Sequence, residues 1–283
     1  MPKLALGTVQ LGLDYGISNN QGRVSIENAK QLLMQAESLS IDMLDTAAMY
    51  GSSERVLGQI AKDSFKLVTK LAIDTDATIN VSQLLQESLI KLRKRPIYGV
   101  MLHDANVLNS SQSFEIALQL AELKARGLVH KIGMSLYFPE QIKLFEILKP
   151  DIIQIPLNVL DQRFLQDGLL TQMKEQGIEI HVRSAFLQGL LLMSPESRSH
   201  CFSQFSELND FDNFVDSVSH SRLEICLSFL KSIDEIDRVV VGCCSASELS
   251  QIHAAWHTKV NLSYHQLACT NNSLIIPSNW PHL

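Results

Sequence analysis

Along the chain, short apolar runs rich in β-branched residues alternate with segments whose apolar positions return every three or four residues, and polar turns separate them. Eight runs read as strands: KLALGT (3–8), IDMLDT (41–46), FKLVTK (65–70), IYGVMLH (97–103), HKIGMS (130–135), DIIQIPL (151–157), IEIHVRS (178–184) and DRVVVGC (237–243). The segments between and after them read as helices. One follows Ser25 and sets Ile26, Ala29, Leu32, Leu33, Ala36 and Leu39 on one face, with Glu27 in its first turn, where the helix dipole favours negative charge. Another starts at Asn80, with Gln83 three residues on, and carries a stripe of Val81, Leu84, Leu85, Leu89 and Leu92. Others span 53–62, 111–126, 139–148, 166–176, 222–232 and 247–256.

Eight such units, with no composition break and no Pro/Gly/Ser linker, predict one α/β domain over residues 1–283, a closed (β/α)8 TIM barrel. A doubly wound sheet would want G-x-G-x-x-G after its first strand. The glycines at 7, 12 and 16 in LGTVQLGLDYG do not have that spacing. One stretch departs from the alternation: residues 187–221 form a long connection between strand 7 and helix 7, a length usually reserved for functional loops or lids.

Composition narrows the function classes. With 283 residues and 46% hydrophobic content the chain can bury a sizeable core. The formal charge of −6 comes without a Lys/Arg stripe, which argues against nucleic acid as a partner, and no protein partner is evident. No apolar run approaches the roughly 18 residues of a membrane span, and MPKLALGTVQ lacks the layout of a signal peptide, so a cytoplasmic protein is expected. Five cysteines, none in C-x-x-C spacing, suit free thiols in a reducing compartment.

Catalytic groups on such a barrel belong at the C-terminal strand ends. Asp45 and Tyr50 lie at and just after the end of strand 2, Lys70 ends strand 3 and His103 ends strand 4, so four ionisable side chains are expected over one quarter of the mouth. Singly, each has a structural explanation: a turn cap, a packed phenol, a snorkelling lysine, a satisfied histidine. Together they suit proton donation to a developing oxyanion. A phenol with an ordinary pKa near 10 is a slow donor at neutral pH unless a cation favours its ionised form. Lys70 can supply that cation, Asp45 can hold the ammonium, and His103 can hydrogen-bond the phenol or the substrate oxygen. Such a site lacks a hydride source, which a cofactor must provide.

These segments resemble the aldo-keto reductases. LDTAAMYG is similar to their D-T-A-x-x-Y-G signature, VTKLA to their strand 3 lysine segment and MLHDAN to their strand 4 histidine segment. KIGMS, IIQIPLNVLD, RSAFLQGLLL and VVVGCCSASEL continue the likeness in order over nearly the whole chain. The resemblance implies a catalytic tetrad of Asp45, Tyr50, Lys70 and His103, with Tyr50 the proton donor, and NAD(P)H as cofactor. It places Ser135, Gln154 and Asn158 at the nicotinamide. It also implies cofactor contacts from Gly7, Thr8, Arg183, Ser184, Phe186, Gln188, Gly189, Gly242, Cys243, Ser245 and Glu248. The substrate expected is a small carbonyl compound; a sugar or hydroxy-aldehyde would suit, with Tyr15, Met49, Tyr137 and the 187–221 stretch as walls.

Two departures bear on the cofactor. NADPH-preferring members follow strand 8 with a lysine and then an arginine; these positions hold Gly242 and Glu248 here. Ser245 and Glu248 form an S-x-x-E capping box, with Glu248 expected on the Ser245 amide. A 2′-phosphate would meet that carboxylate where it wants an Arg fork, so NAD(H) is expected to bind at least as well as NADP(H). The remaining features stay open. His253 and His257 have an i, i+4 zinc spacing but no third ligand, so no metal is expected. Cys243 and Cys244 could be redox-active near a helix N-terminus or simply pack beneath the cofactor. His181 and Arg183 share one side of strand 7. An NAD(H)-binding redox-sensing regulator and a cofactor-free isomerase are the alternatives to a reductase.

Overall fold

The computed structural model describes residues 1–74 and 80–280. Eight strands, β1 (Lys3–Gly7), β2 (Met43–Asp45), β3 (Lys66–Leu71), β4 (Ile97–Leu102), β5 (Val129–Ser135), β6 (Ile152–Pro156), β7 (Glu179–Arg183) and β8 (Arg238–Gly242), pair in parallel and in chain order. The barrel closes where β8 pairs with β1, from Lys3 opposite Arg238 to Gly7 opposite Gly242.

Residues alternate between two cores, as the two-residue period of a strand requires. One set packs outward under the helices, for example Leu4, Leu6, Leu44, Leu67, Ile153 and Ile180. The other fills the barrel interior with a separate layer of Ala5, Met43, Val68, Met101 and Ile152. Below that layer, at the N-terminal strand ends, the lumen becomes polar. The Tyr98 hydroxyl donates to Glu179 Oε2 (2.6 Å), Lys131 pairs with Glu179, His181 Nε2 meets Glu179 Oε1 at 2.8 Å, and Arg238 donates to Asp42 (2.6 Å). Burial pushes the Glu179 carboxyl up, but His181, Lys131 and Tyr98 outweigh it and hold the group well below the usual carboxylate range.

The ring of helices comprises α1 (Ile26–Ser38), α2 (Ser53–Ile60), α3 (Val81–Leu92), α4 (Ser113–Ala125), α5 (Phe145–Leu148), α6 (Leu169–Glu175), α7 (Ser206–Asp216), α8 (Arg222–Lys231) and α9 (Ala246–His257), with α10 (Asn272–Ile275) near the C-terminus. Ser25 Oγ accepts the Asn28 N–H and Asn80 Oδ1 accepts the Gln83 N–H, so both helix starts expected from the sequence carry side-chain caps. Ile26, assigned to the buried face of α1, is instead 45% exposed because it occupies the first helical position beside the cap.

The segment 187–221 is not a loop. It holds 3-10 turns at Leu187–Leu192, Pro195–Ser197 and His200–Gln204, followed by α7, which buries Leu208, Phe211 and Asp212. Arg198 and Arg222 share the Asp212 carboxylate, with N···O distances of 2.7 Å each. Helices expected over 139–148 and 166–176 begin as 3-10 turns, Pro139–Leu144 and Arg163–Gly168, so the α-helical parts are short. Beyond α9 the chain returns across the barrel. Cys269 N–H donates to the Leu160 carbonyl, the Tyr264 and Ser228 hydroxyls lie 2.6 Å apart, and Trp280 packs edge-on against Phe202.

Candidate active site

The mouth of the barrel opens into a cavity of about 580 Å³ that reaches from Tyr50 and His103 on one side to Glu248 and Gln251 on the other. That volume suits a ligand-binding cleft. Asp45 ends β2 with its backbone held by Thr8, whose Oγ1 donates to the Asp45 carbonyl at 2.9 Å. Ser53, the first residue of α2, bonds Thr8 and Thr46 in turn, so a ladder of buried hydroxyls underlies the strand end. Lys70 is 1% exposed. Its Nζ donates to Asp45 Oδ1 (2.5 Å) and to the Thr46 carbonyl (3.2 Å), and Gln154 Nε2 donates to Asp45 Oδ2 (2.8 Å). Burial pulls the ammonium's pKa down, but the Asp45 charge, Tyr50 and the hydrogen bond to Asp45 together outweigh it and the net direction is up. Lys70 Nζ lies 5.2 Å from the Tyr50 ring centroid, and the His103 ring stands edge-on to Tyr50 with centroids 5.8 Å apart.

Tyr50 is placed by backbone contact. A Cβ at Gly12 would sit 1.8 Å from the Tyr50 carbonyl oxygen, so only glycine lets the chain after β1 lie against the turn that carries the phenol. His103 has a buried Nδ1 without a hydrogen-bond partner. Burial, then the Lys70 and Arg183 charges, lower its pKa to about 4. The imidazole is therefore neutral at physiological pH, a hydrogen-bonding group and not a second cation.

The other side chains expected from the sequence fall into three groups. Gly7, Thr8, Ser135, Gln154, Arg183, Ser184, Phe186, Gln188, Gly189, Gly242, Cys243 and Glu248 line the cavity with the tetrad, as do Tyr15 and Tyr137. Asn158 and Ser245 are absent from the wall. The Asn158 amide donates to the Ser184 carbonyl (3.1 Å) while its oxygen accepts the Leu160 and Asp161 amides, which spends the side chain on the β6 turn. Ser245 caps α9 through the Glu248 amide. Met49 is 61% exposed and does not line the cavity.

Arg183 lines the cavity but His181, two residues below it, is fully buried on Glu179 in the barrel floor. Glu248 Oε2 accepts the Cys244 N–H (2.7 Å), one residue earlier than the capping box predicts. The Cys243 and Cys244 thiols do not gain acidity from α9. Burial first, then the Glu248 charge, pushes Cys244 up to about 11 and moves Cys243 in the same direction, opposite to the shift that makes a thiol reactive. Among the described residues no group of three or more His, Cys, Asp or Glu side chains could hold a metal, and no helix is long and apolar enough to cross a membrane.

Several wall residues were not anticipated. Gln10 and Asn20 come from the β1–α1 connection, Gln251 from α9 and Ser278 from the returning C-terminal stretch. Gln10 is 9% exposed, with its Oε1 unpartnered, and its amide occupies the space a side chain at Gly242 would need; a Cβ there would meet Gln10 Nε2 at 2.7 Å. The turn after β7 is also unusual, since Ser184, Leu187 and Gln188 all have positive φ, at 62°, 48° and 54°. Such backbones cost of order 1 kcal/mol or more each and persist where the surroundings enforce them. Here the Gln188 carbonyl accepts the Ile17 N–H at 3.1 Å and so joins the two loops.

The chain is a closed (β/α)8 barrel with ionisable side chains gathered over its C-terminal mouth, and comparisons with known proteins show its family and its fold. The family model described as "Aldo/keto reductase family" matches residues 3–270. Aldo-keto reductase YhdN of Bacillus subtilis (strain 168) is 25% identical over 256 residues, covering 85% of this chain and 73% of that protein. Among solved structures, the aldo-keto reductase AKR11C1 from Bacillus halodurans in its holo form superposes with a TM-score of 0.75 at 19% identity, over 92% of this chain and 88% of that one. The glycerol dehydrogenase AKR11B4 from Gluconobacter oxydans does so with a TM-score of 0.71 at 19% identity, over 99% and 93%. The chain belongs to the aldo/keto reductase family, whose members are oxidoreductases acting on carbonyl compounds.

Proposed function

We propose that the protein reduces an aldehyde or ketone to an alcohol with NAD(P)H, and that Tyr50 donates the proton. The observation that carries this reading is the buried Lys70–Asp45 pair, with its ammonium 5.2 Å from the Tyr50 ring centroid, in the wall of an open cavity. As the carbonyl oxygen gains negative charge it takes the phenolic proton, and the charge left on the phenolate falls beside a fixed ammonium. Preorganised electrostatics of this kind costs no reorganisation at the moment of reaction. Asp45 and the Thr46 carbonyl keep that ammonium oriented, and Gln154 keeps Asp45 oriented. Neutral His103, edge-on to the phenol, is free to hydrogen-bond the substrate oxygen.

The residues present fit a nicotinamide dinucleotide. Gln10 offers an unpartnered buried oxygen, and Gln154, whose nitrogen serves Asp45, retains its oxygen for a carboxamide N–H. Ser135 and Gln154 would hold the nicotinamide end, and Gly7, Thr8, Gln10 and the turns after β7 and β8 the rest. When bound, the cofactor supplies hydride to the carbonyl carbon. NAD(H) is expected to bind at least as well as NADP(H), because Gly242 supplies no cation and Glu248 presents a carboxylate. Five free cysteines suit a cytoplasmic setting.

The test is absorbance at 340 nm with a panel of small aldehydes and ketones, comparing the wild type with Tyr50→Phe. Turnover lost in the variant at unchanged NADH affinity supports the reading. Tight NADH binding by the wild type with no turnover across the panel would favour a redox sensor instead. Fluorescence titration measures the cofactor preference, and a tenfold advantage for NADPH overturns that part.

A further inference from the structure

Apart from Arg183, the partly or fully buried arginines among the described residues are matched with carboxylates. Arg163 bonds Asp161 (2.7 Å), Arg198 and Arg222 share Asp212 (2.7 Å each) and Arg238 bonds Asp42 (2.6 Å). That is the ordinary condition of a guanidinium removed from water. Arg183, half-buried in the cavity wall at the end of β7, is different: among the described residues no carboxylate pairs with it. Its Nη2 donates to the Leu136 carbonyl at 3.0 Å, Nη1 reaches Ser184 Oγ at 3.3 Å, and its plane lies 4.3 Å from the Tyr137 ring centroid. A backbone carbonyl, a hydroxyl and an aromatic face thus fix the guanidinium without neutralising it, and the rest of its donor fork is left to the cavity.

Charge around the phenol is correspondingly uneven. Asp45 and Lys70 cancel each other, and His103 is neutral at physiological pH. Arg183 therefore leaves this end of the cavity with one uncompensated positive charge, within electrostatic reach of Lys70, His103 and Tyr15. The other charged group of the wall, Glu248, is engaged with the Cys244 amide at the end of β8. From β7 the Arg183 side chain crosses the end of β6 to reach Leu136, just beyond β5, and so leans away from β8.

Building on the carbonyl-reductase reading, we propose that Arg183 is a substrate-specificity residue and that the preferred substrate is an anionic carbonyl compound, its carboxylate or phosphate seated on this guanidinium. Arg183 then belongs to the substrate and not, as its place in the sequence suggested, to the cofactor. A charge-assisted bond to such a group is worth roughly 10- to 100-fold in binding.

The experiment measures kcat and KM with NADH for three aldehydes: neutral glyceraldehyde, glyceraldehyde 3-phosphate and glyoxylate. The wild type is compared with Arg183→Leu and Arg183→Lys, and the Kd for NADH is measured by fluorescence for each. The expected result is a lower KM for at least one anionic aldehyde, by about tenfold or more at low salt and less at high salt. Arg183→Leu raises KM for the favoured anionic aldehyde by about tenfold more than it raises KM for glyceraldehyde, and Arg183→Lys restores part of that difference. The phosphate and carboxylate arms show which anion is read.

Equal loss for all three aldehydes, or a weakened NADH Kd in Arg183→Leu, overturns the proposal and returns Arg183 to the cofactor or the scaffold. If no aldehyde is turned over, the reductase reading fails by itself. The anion site is then judged by titrating inorganic phosphate and oxalate into the NADH-bound protein: a heat of binding lost in Arg183→Leu sustains it, and no heat in the wild type refutes it.

Discussion

Asp45→Asn separates the buried ion pair from the rest of the site. Lys70 is 1% exposed and, among the described residues, its ammonium has one anionic partner, Asp45, plus the Thr46 carbonyl. Neutralising the partner strands the cation. Breaking a buried pair in this way costs about 3–5 kcal/mol. An independent ceiling comes from proton loss: deprotonating an amine of ordinary value near 10.4 at pH 7 costs about 4.6 kcal/mol at 1.36 kcal/mol per pH unit, after which the buried group is neutral. The second carboxylate oxygen matters as well. Gln154 Nε2 donates to Asp45 Oδ2, and with Asn oriented to keep an oxygen toward Lys70, two amide nitrogens face each other there, an unsatisfied donor worth about 1–3 kcal/mol.

The expected loss is therefore about 4–6 kcal/mol, a Tm drop on the order of 10–20 °C for a chain of this size. Urea unfolding followed by circular dichroism measures it, and Lys70→Met supplies the control. Removing the stranded cation should make Asp45→Asn/Lys70→Met more stable than Asp45→Asn alone, with a coupling of about 2 kcal/mol or more. A single-variant loss below about 1 kcal/mol, or a double variant no more stable than the single, would refute the reasoning. The pH dependence adds a check with a definite sign. Lys70 is held above its ordinary value, so its contribution is present below about pH 10 and fades as the pH climbs through the raised value. Wild type should lose stability there more steeply than Lys70→Met.

Other outcomes follow from particular contacts. Gly12→Ala drives a Cβ into the Tyr50 carbonyl, 1.8 Å away, so turnover of a reducible aldehyde should fall by about tenfold or more with a stability loss of about 2 kcal/mol or more, read by kinetics and thermal unfolding together. His103 should show no titration between pH 5 and 8 by NMR. Its folded pKa near 4 lies below the ordinary 6.5, so it contributes stability above about pH 6.5 that is lost as the pH falls toward about 4. The depressed Glu179 carboxylate contributes stability above its ordinary value near 4.3 that is lost on acidification below it; Glu179→Gln should flatten the acid limb of a stability–pH curve.

The barrel was legible because its strands obey one rule, a short apolar run ending in a polar turn, and the gathering of Asp45, Tyr50, Lys70 and His103 at its mouth because they lie at or just after the ends of three consecutive strands. The misreadings share a cause. The 187–221 stretch carries its apolar residues as Leu187, Leu190, Leu191, Phe202, Phe205, Leu208 and Phe211, too irregularly spaced before residue 206 to show a period, because 3-10 turns bury residues one at a time. Asn158 looked like a ligand residue because its chemistry is that of one, yet three backbone partners within 3.1 Å occupy it. Gln10 and Ser278 reach the cavity through tertiary contacts that no local pattern encodes.

The β1–β8 seam shows why a departure from a family pattern is better read as a pair of positions than as one. Gly242 by itself looks like a lost lysine. In the structure the space above it belongs to Gln10, from the connection that follows β1, and a side chain at Gly242 would make that amide shift. At this point of the wall the chain therefore presents a neutral amide with a free acceptor, suited to hydroxyls, and not a point charge suited to a phosphate. Glu248 lies in the same wall and carries the opposite sign to the arginine that would grip a phosphate, while Arg183 keeps the cation at the catalytic end. The positive charge of this wall thus lies toward Tyr50 and His103, and its β8 side carries the Glu248 carboxylate.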